Sequence, residues 1–291
     1  MVECWAVVEE GVEVAAHDAR RMVPWWSFTK TILAAAALVL VRDGAATLDT
    51  PLPGRPYTLR HLLQHRSGLA NYGGLPSYHE AVERGEDPWP VAALLEQVEA
   101  GRLRYPAGGG WDYSNIGYLV VRELIEETTD QSLDSALRRL ILHPLGISEA
   151  RIAVCPSDLE GVAMGEAWGY HPGWVYHGLM VGPVAEAALL LDRLLSRTLL
   201  PPGLLTEMLK VHSLGGPIAG RPWVAPGYGL GLMIGEVASG IRAAGHTGGG
   251  PGSTVAVYRS IGGEAARTAA VFATSEEQAG TEEEAFRLIG E

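Results

Sequence analysis

The sequence predicts a mixed α/β (α+β) fold, and three observations carry that expectation. Residues 27–41, SFTKTILAAAALVLV, have high helix propensity and no internal Gly or Pro, and beyond the first turn they are apolar on every side, as in a helix buried within a protein. Residues 116–128 form an amphipathic helical pattern directly after the turn signals Tyr105-Pro106-Ala107-Gly108-Gly109-Gly110. Residues 228–234 and 253–258 read as strands, with the glycine-rich run His246 to Gly252 between them. A chain of 291 residues, 47% hydrophobic, is long enough for one large core or for two lobes sharing an interface.

The first helix carries the first chemical signal. Ser27 and Lys30 form an S-x-x-K pair, and Lys30 is one of only two lysines in the chain, the other being Lys210. A helix starting near Ser27 puts both side chains on one face, one turn apart. Ser27 then sits where unpaired backbone N–H groups favour a developing anion. A lysine rooted in an apolar helix is desolvated, which disfavours its ammonium and readies it for proton exchange. A serine hydroxyl needs such a partner to become a nucleophile. Taken alone, the pair also fits a capping serine beside a lysine that snorkels to water.

Two further groups follow in order. Tyr113-Ser114-Asn115 lies on a loop just before the second helix. A phenol near an ammonium has its pKa lowered, so Tyr113 is expected to act as a general base toward Ser27. Asn115 offers a donor and an acceptor for a substrate carbonyl and for Lys30. In His246-Thr247-Gly248-Gly249, the glycines let a substrate approach a strand edge, and the Gly249 and Ser27 N–H groups pair as an oxyanion hole. His246 is expected beside the pocket as a donor or a charge, with Thr247 contributing a hydroxyl. The three groups together describe a serine hydrolase site.

At these residues the chain resembles the serine β-lactamase and penicillin-binding-protein family, and especially its class C-like branch of esterases, D-aminopeptidases, D-amino acid amidases and DD-peptidases. The resemblance extends through Leu62-Leu63-Gln64-His65-Arg66-Ser67-Gly68-Leu69, Leu142-His143-Pro144-Leu145-Gly146-Ile147 and Gly227-Tyr228-Gly229-Leu230-Gly231. It implies Ser27 as acyl-accepting nucleophile, Lys30 as its proton partner, Tyr113 as base and Asn115 as substrate-orienting amide. It also implies a central antiparallel sheet flanked by helices, with strands near 4–8 and 12–17, later strands around 228–274, and a closing helix over 282–289. An α/β lobe of residues 1–50 and 181–291 would carry an inserted, mainly helical lobe of residues 51–180, with the active site in the cleft between them.

The chain departs from the family pattern twice. His246 stands where β-lactamases have the lysine of K-T-G, which argues against a dedicated β-lactamase. In Tyr176-His177-Gly178-Leu179-Met180-Val181-Gly182-Pro183, Pro183 and the following Glu186 replace a hydroxyl and an aspartate.

The remaining features narrow the function. The formal net charge of −12 and the lack of a basic stripe argue against nucleic acid or anionic membrane as partners. No cofactor or metal is expected, because His171 and His177 lack the spacing of a zinc motif. Trp25, Trp26, Trp111, Trp168, Tyr170, Trp174 and Tyr176 are expected either to wall an apolar substrate pocket or to pack the core. An N-terminus without a basic-then-apolar segment and with acidic residues, together with only two cysteines, points to the cytoplasm. The expected activity is hydrolysis of a small ester, amide or short peptide through a Ser27 acyl-enzyme. The alternatives are a D-stereospecific aminopeptidase or amidase, with Glu166 as a candidate holder of the substrate amine, and a non-catalytic peptide or penicillin binder. Oligomeric state is not encoded in these features.

Overall fold

The computed structural model describes residues 2–165, 167, 169–196, 199–263 and 266–291. The chain opens with a hairpin of β1 (Val2–Glu9) and β2 (Val12–His17). Its turn residues Glu10 and Gly11 both have positive φ, 48° and 79°, a turn geometry that matches the twist of paired strands. β3 (Met22–Pro24) then leads through a 3-10 turn, Trp26–Phe28, into α1 (Thr29–Arg42). Next come α2 (Leu59–Leu63), α3 (Pro76–Glu83), α4 (Val91–Gln97), α5 (Asn115–Thr129), α6 (Leu133–Leu137), β4 (Arg151–Ala153) and β5 (Leu179–Pro183). The last part holds α7 (Val184–Leu195), α8 (Pro202–Met208), β6 (His212–Ser213), β7 (Trp223–Tyr228), β8 (Met233–Val237), β9 (Arg242–Gly250), β10 (Ser253–Ser260), β11 (Arg267–Ala273) and α9 (Gln278–Gly290).

Eight of the described strands form one antiparallel sheet in the order β2-β1-β11-β10-β9-β8-β7-β6, so the two ends of the chain meet at the β1–β11 pair, Trp5 opposite Val271. Side chains alternate across it as strand geometry requires. Val255 and Val257 join Ala6, Val8, Ala270 and Phe272 on the face covered by α1 and α7. Ala256, Tyr258, Ala269 and Val271 face α9, where Ala285, Phe286 and Ile289 cover them. A second sheet, β3-β5-β4, ties the start of α1 to the segment before α7. The helix expected from residue 27 is α1, and every residue from Thr29 to Leu40 is buried.

Two expectations about strands need correction. The segment 228–234 is not one strand but the end of β7, a tight turn and the start of β8, with Tyr228 opposite Met233 and the Gly229 N–H bonded to the Leu232 carbonyl at 2.8 Å. The glycines there turn the chain, overriding the apolar pattern. Conversely, the glycine run from His246 to Gly250 is no loop. It forms the second half of β9, and the turn falls at Pro251 and Gly252.

The substituted turn before α7 is also accounted for. Pro183 makes no side-chain cap, but the buried Glu186 carboxylate accepts from the backbone N–H groups of Ser148, Glu149 and Ala150 and from the Ser148 hydroxyl. Cys4 and Cys155 are free thiols, and burial pushes the Cys4 thiol up to about 12, so it stays protonated.

Candidate active site

Ser27 lies in the 3-10 turn that feeds α1, and Lys30 is in the first turn of the helix proper. Trp26, just before the nucleophile position, has φ +41°, a left-handed conformation that costs a non-glycine residue about 1–3 kcal/mol and is held here by surrounding packing. The Trp26 indole donates to Ser253 Oγ at 3.0 Å, which ties the turn to β10. Gly248 of β9 completes the seat: a Cβ there would lie 2.6 Å from the Ser27 nitrogen and 2.8 Å from the Trp25 carbonyl oxygen. Only glycine allows this strand to press against the backbone of the Ser27 turn.

Lys30 Nζ is 3.2 Å from Ser27 Oγ, and the side chain is wholly buried. Its other hydrogen-bond partner is His177 Nε2 at 3.1 Å, and the rings of Tyr113 and Tyr118 lie 5.0 and 5.7 Å away. Among the described residues no carboxylate pairs with it. Burial therefore drives its pKa well below the ordinary lysine value, toward a free amine.

The Tyr113 phenol behaves differently from the expectation. Burial raises its pKa, and this outweighs the opposing effect of its hydrogen bond to Ser27. Tyr113 thus holds its proton. Burial also lowers the Lys30 pKa, which weakens the acidifying effect expected from a nearby ammonium.

The other motif residues divide by the face they occupy. Ser114 is the N-cap of α5, its hydroxyl accepting from the Gly117 N–H at 2.9 Å. Asn115 is half-buried at the cleft, but its side-chain amide donates to Asn71 Oδ1 at 3.0 Å rather than to Lys30. His246 is buried and neutral. Burial is the main cause that lowers its pKa to about 3, with any positive charge on Lys30 acting the same way, so it supplies no charge at neutral pH. Thr247 points the other way, because successive strand residues alternate. Its hydroxyl is bonded to Tyr258 and to Glu282 of α9, and the expected hydroxyl in the pocket is absent. β8 pairs with β9 only as far as Gly245, so among the described strands none pairs with His246–Gly250 on that side, and Gly249 is exposed there.

A directed chain of hydrogen bonds links these parts. The Thr247 carbonyl, 2.7 Å from His246 Nδ1, can only accept, so a neutral His246 carries its proton on Nδ1 and accepts at Nε2. The Tyr228 hydroxyl, 2.8 Å away, therefore donates to it. Tyr228 in turn accepts from His65 Nε2 at 3.2 Å, because His65 Nδ1 is taken up by the Ser114 N–H at 3.1 Å. Every member is satisfied without charge, and the chain couples the Tyr113 loop to β9.

The cleft over Ser27 has a volume of ≈ 320 Å³ and is walled by Trp26, Tyr72, Tyr78, Val82, Tyr170 and Val175, with Asn115, His177, Gly249 and Gln278 as its polar part. A larger hollow of ≈ 640 Å³ shares Tyr170 with it but contains none of the motif residues. Of the aromatics expected near the site, Trp26 and Tyr170 line the cleft, packed edge to face. Trp25 and Trp174 are core, Trp111 packs on His65, and Trp168 and Glu166 lie outside the described residues. Tyr72, Tyr78, His79, Val82, Val175, Glu276 and Gln278 are cleft residues that sequence reasoning missed, and it gave His177 no role at the site. They come from α3 and from segments remote in sequence, and no local spacing marks them.

The chain is similar in sequence and in fold to known proteins. The chain is 29% identical over 160 residues to penicillin-binding protein 4* of Bacillus subtilis (strain 168), covering 50% of this chain and 34% of that protein. It is 32% identical over 143 residues to esterase EstB of Burkholderia gladioli, covering 42% and 36%. It thus matches about a third of the length of each of these relatives. The crystal structure of D-amino acid amidase from Ochrobactrum anthropi SV3 shares the fold, with a TM-score of 0.83 at 23% identity over 99% of this chain and 95% of that one. The model of the Beta-lactamase family matches residues 4–291, and the chain belongs to that family.

Proposed function

We propose that the protein is a serine hydrolase that cleaves a small ester or amide through a Ser27 acyl-enzyme. The observation that carries this reading is the pair itself: a serine hydroxyl 3.2 Å from a fully buried lysine amine with no carboxylate partner among the described residues. Lys30 takes the Ser27 proton as the oxygen attacks the substrate carbonyl. The Ser27 and Gly249 N–H groups face the oxyanion. Tyr113, bonded to Ser27 and holding its proton, donates to the leaving group, and the protonated Lys30 resupplies it. A water then attacks the ester by the reverse proton path. We take residues 1–50 and 181–291 as one lobe and 51–180 as the other. The cleft draws Ser27, Gly249 and Gln278 from the first and Tyr72, Asn115 and His177 from the second, which supports that division.

A second reading, a D-stereospecific aminopeptidase or amidase, is favoured by one observation. Glu276, exposed at the cleft, is the one carboxylate among the described lining residues, and no lysine or arginine lines it. A substrate ammonium group would find its counter-charge there. The fold shared with a D-amino acid amidase agrees with this reading. Among the described residues no helix is long and apolar enough to cross a membrane. On the two-cysteine content of the sequence we propose a cytoplasmic location.

The test is turnover of p-nitrophenyl butyrate and of D-alanine p-nitroanilide by wild type and Ser27→Ala, with intact mass taken on quenched reactions. Turnover and an acyl adduct that both vanish in the variant are expected, and the preferred probe separates the two readings. Retained turnover in Ser27→Ala would overturn the assignment. A stable adduct without turnover would make the protein a binder.

A further inference from the structure

His177 touches Lys30, the buried amine beside Ser27. It is 2% exposed, lines the cleft over Ser27, and places Nε2 at 3.1 Å from Lys30 Nζ, while its buried Nδ1 has no hydrogen-bond partner among the described residues. A leucine there would fill space without a buried, unpaired nitrogen, so packing alone does not account for the residue. Its position is built in. The Tyr176 carbonyl accepts from Arg122 at 3.2 Å, and the Met180 N–H donates to Thr29 Oγ1 at the start of α1 at 3.1 Å. Gly178 has φ +101°, and a Cβ there would sit 2.7 Å from Leu133 Cδ2.

We propose that His177 is a positioning residue that accepts a hydrogen bond from Lys30 at Nε2 and thereby turns the lysine lone pair toward Ser27 Oγ; this deepens, and rests on, the serine-hydrolase reading. A free amine has two N–H groups and one lone pair. If His177 presented Nε2–H, it would occupy that lone pair and leave nothing to receive the serine proton. Once Lys30 has become an ammonium, an Nε2–H would also face an N–H at 3.1 Å. The Nδ1–H tautomer suits both states of Lys30 with no rotation of the ring. In His65 and His246 a backbone group at Nδ1 fixes the tautomer, whereas among the described residues His177 has none there, which leaves Lys30 to set it.

The groups facing His177 are Lys30 of α1, His65 at the end of α2, Arg122 of α5 and His246 of β9. Together with burial, the largest influence, they disfavour an imidazolium.

Two measurements test this. In ¹⁵N-histidine-labelled wild type at pH 7, assigned by loss of signal in His177→Gln, two-bond ¹H–¹⁵N correlations should show His177 neutral, protonated at Nδ1 and bare at Nε2. An Nε2–H tautomer or an imidazolium would overturn the proposal whether or not a substrate has been found. In kinetics, His177→Leu should lower the plateau of kcat/KM by about 10²-fold, the loss typical of a misoriented catalytic group. It should also move the ascending limb of the pH profile to lower pH, because the ammonium loses its acceptor while the site stays dry. His177→Gln, whose amide oxygen also accepts, should retain most of the activity. A limb moved upward would indicate water entry and simple structural damage; that result, or a glutamine variant as impaired as leucine, would sink the idea. Loss of acylation in Ser27→Ala reports on the hydrolase reading alone, so the two failures are separable.

Discussion

The two faces of β9 bury polar side chains by opposite means. On the cleft face Lys30, Tyr113, His177 and His246 are buried or half-buried without a carboxylate among them, and each is driven toward its neutral form. On the face toward α9, one residue along the same strand, Thr247 meets the fully buried Glu282 carboxylate, which pairs with Arg221 and also accepts from Tyr258 and the Trp223 indole. One face excludes charge, and the other fixes the strand by pairing charge. If the proposed chemistry resides on the first, the two faces divide catalysis from rigidity, and each side can be broken separately.

The largest effect is expected on the cleft face. Lys30→Arg retains a cation but cannot be deprotonated, so a reading in which Lys30 serves as a base requires it to fail as badly as Lys30→Ala, with kcat/KM lower by about 10²–10⁴-fold. If arginine supported much of the activity, the lysine would be acting as a fixed charge and the contrast between the faces would collapse. Glu282→Ala is the counterpart on the other face. It strands Arg221 and removes the acceptor of three further donors, and breaking a buried pair in this way costs about 3–5 kcal/mol. Urea unfolding should report that loss, while kcat per folded molecule changes far less. A variant that is stable but inactive would show that the α9 face belongs to the chemistry.

What was legible in the sequence follows the same division. Ser27 and Lys30 could be read because helix geometry converts a spacing of three into adjacency. Tyr113 and His246 could be read because motif order placed them, and the strands because their alternation of side chains is local. Thr247 was misassigned because its direction depends on strand register, and the glycine run conceals that it is a strand at all. The acidified Tyr113 was misjudged for another reason: the sequence indicates that a lysine is near, but not that burial of the phenol outweighs it. His177, Tyr72 and Glu276 reach the cleft only through tertiary packing, so no window of sequence contains their meaning.

The smallest effect per group tests the neutrality of the cleft face directly. His65, His177 and His246 all have pKa values pushed below the ordinary 6.5, burial being the main cause in each. In the window below 6.5 the unfolded chain takes up protons that the folded chain refuses. The unfolded state then binds more protons, and stability must fall as pH falls. Each such imidazole contributes a slope of up to about 1.4 kcal/mol per pH unit, and His246 continues to contribute until the pH nears about 3. The paired carboxylates Asp43, Asp49 and Asp158 act in the same direction, but only as the pH approaches their unfolded value of 3.8. Urea unfolding between pH 7 and 5 therefore reads the histidines together with Lys30, whose lowered pKa acts in the same direction, and the His246→Gln difference separates out one imidazole. A stability that declines there, and declines less steeply once His246 is replaced by Gln, is the expected result. A flat profile would mean that these imidazoles carry charge when folded, and the cleft face would then be a charged one like its neighbour.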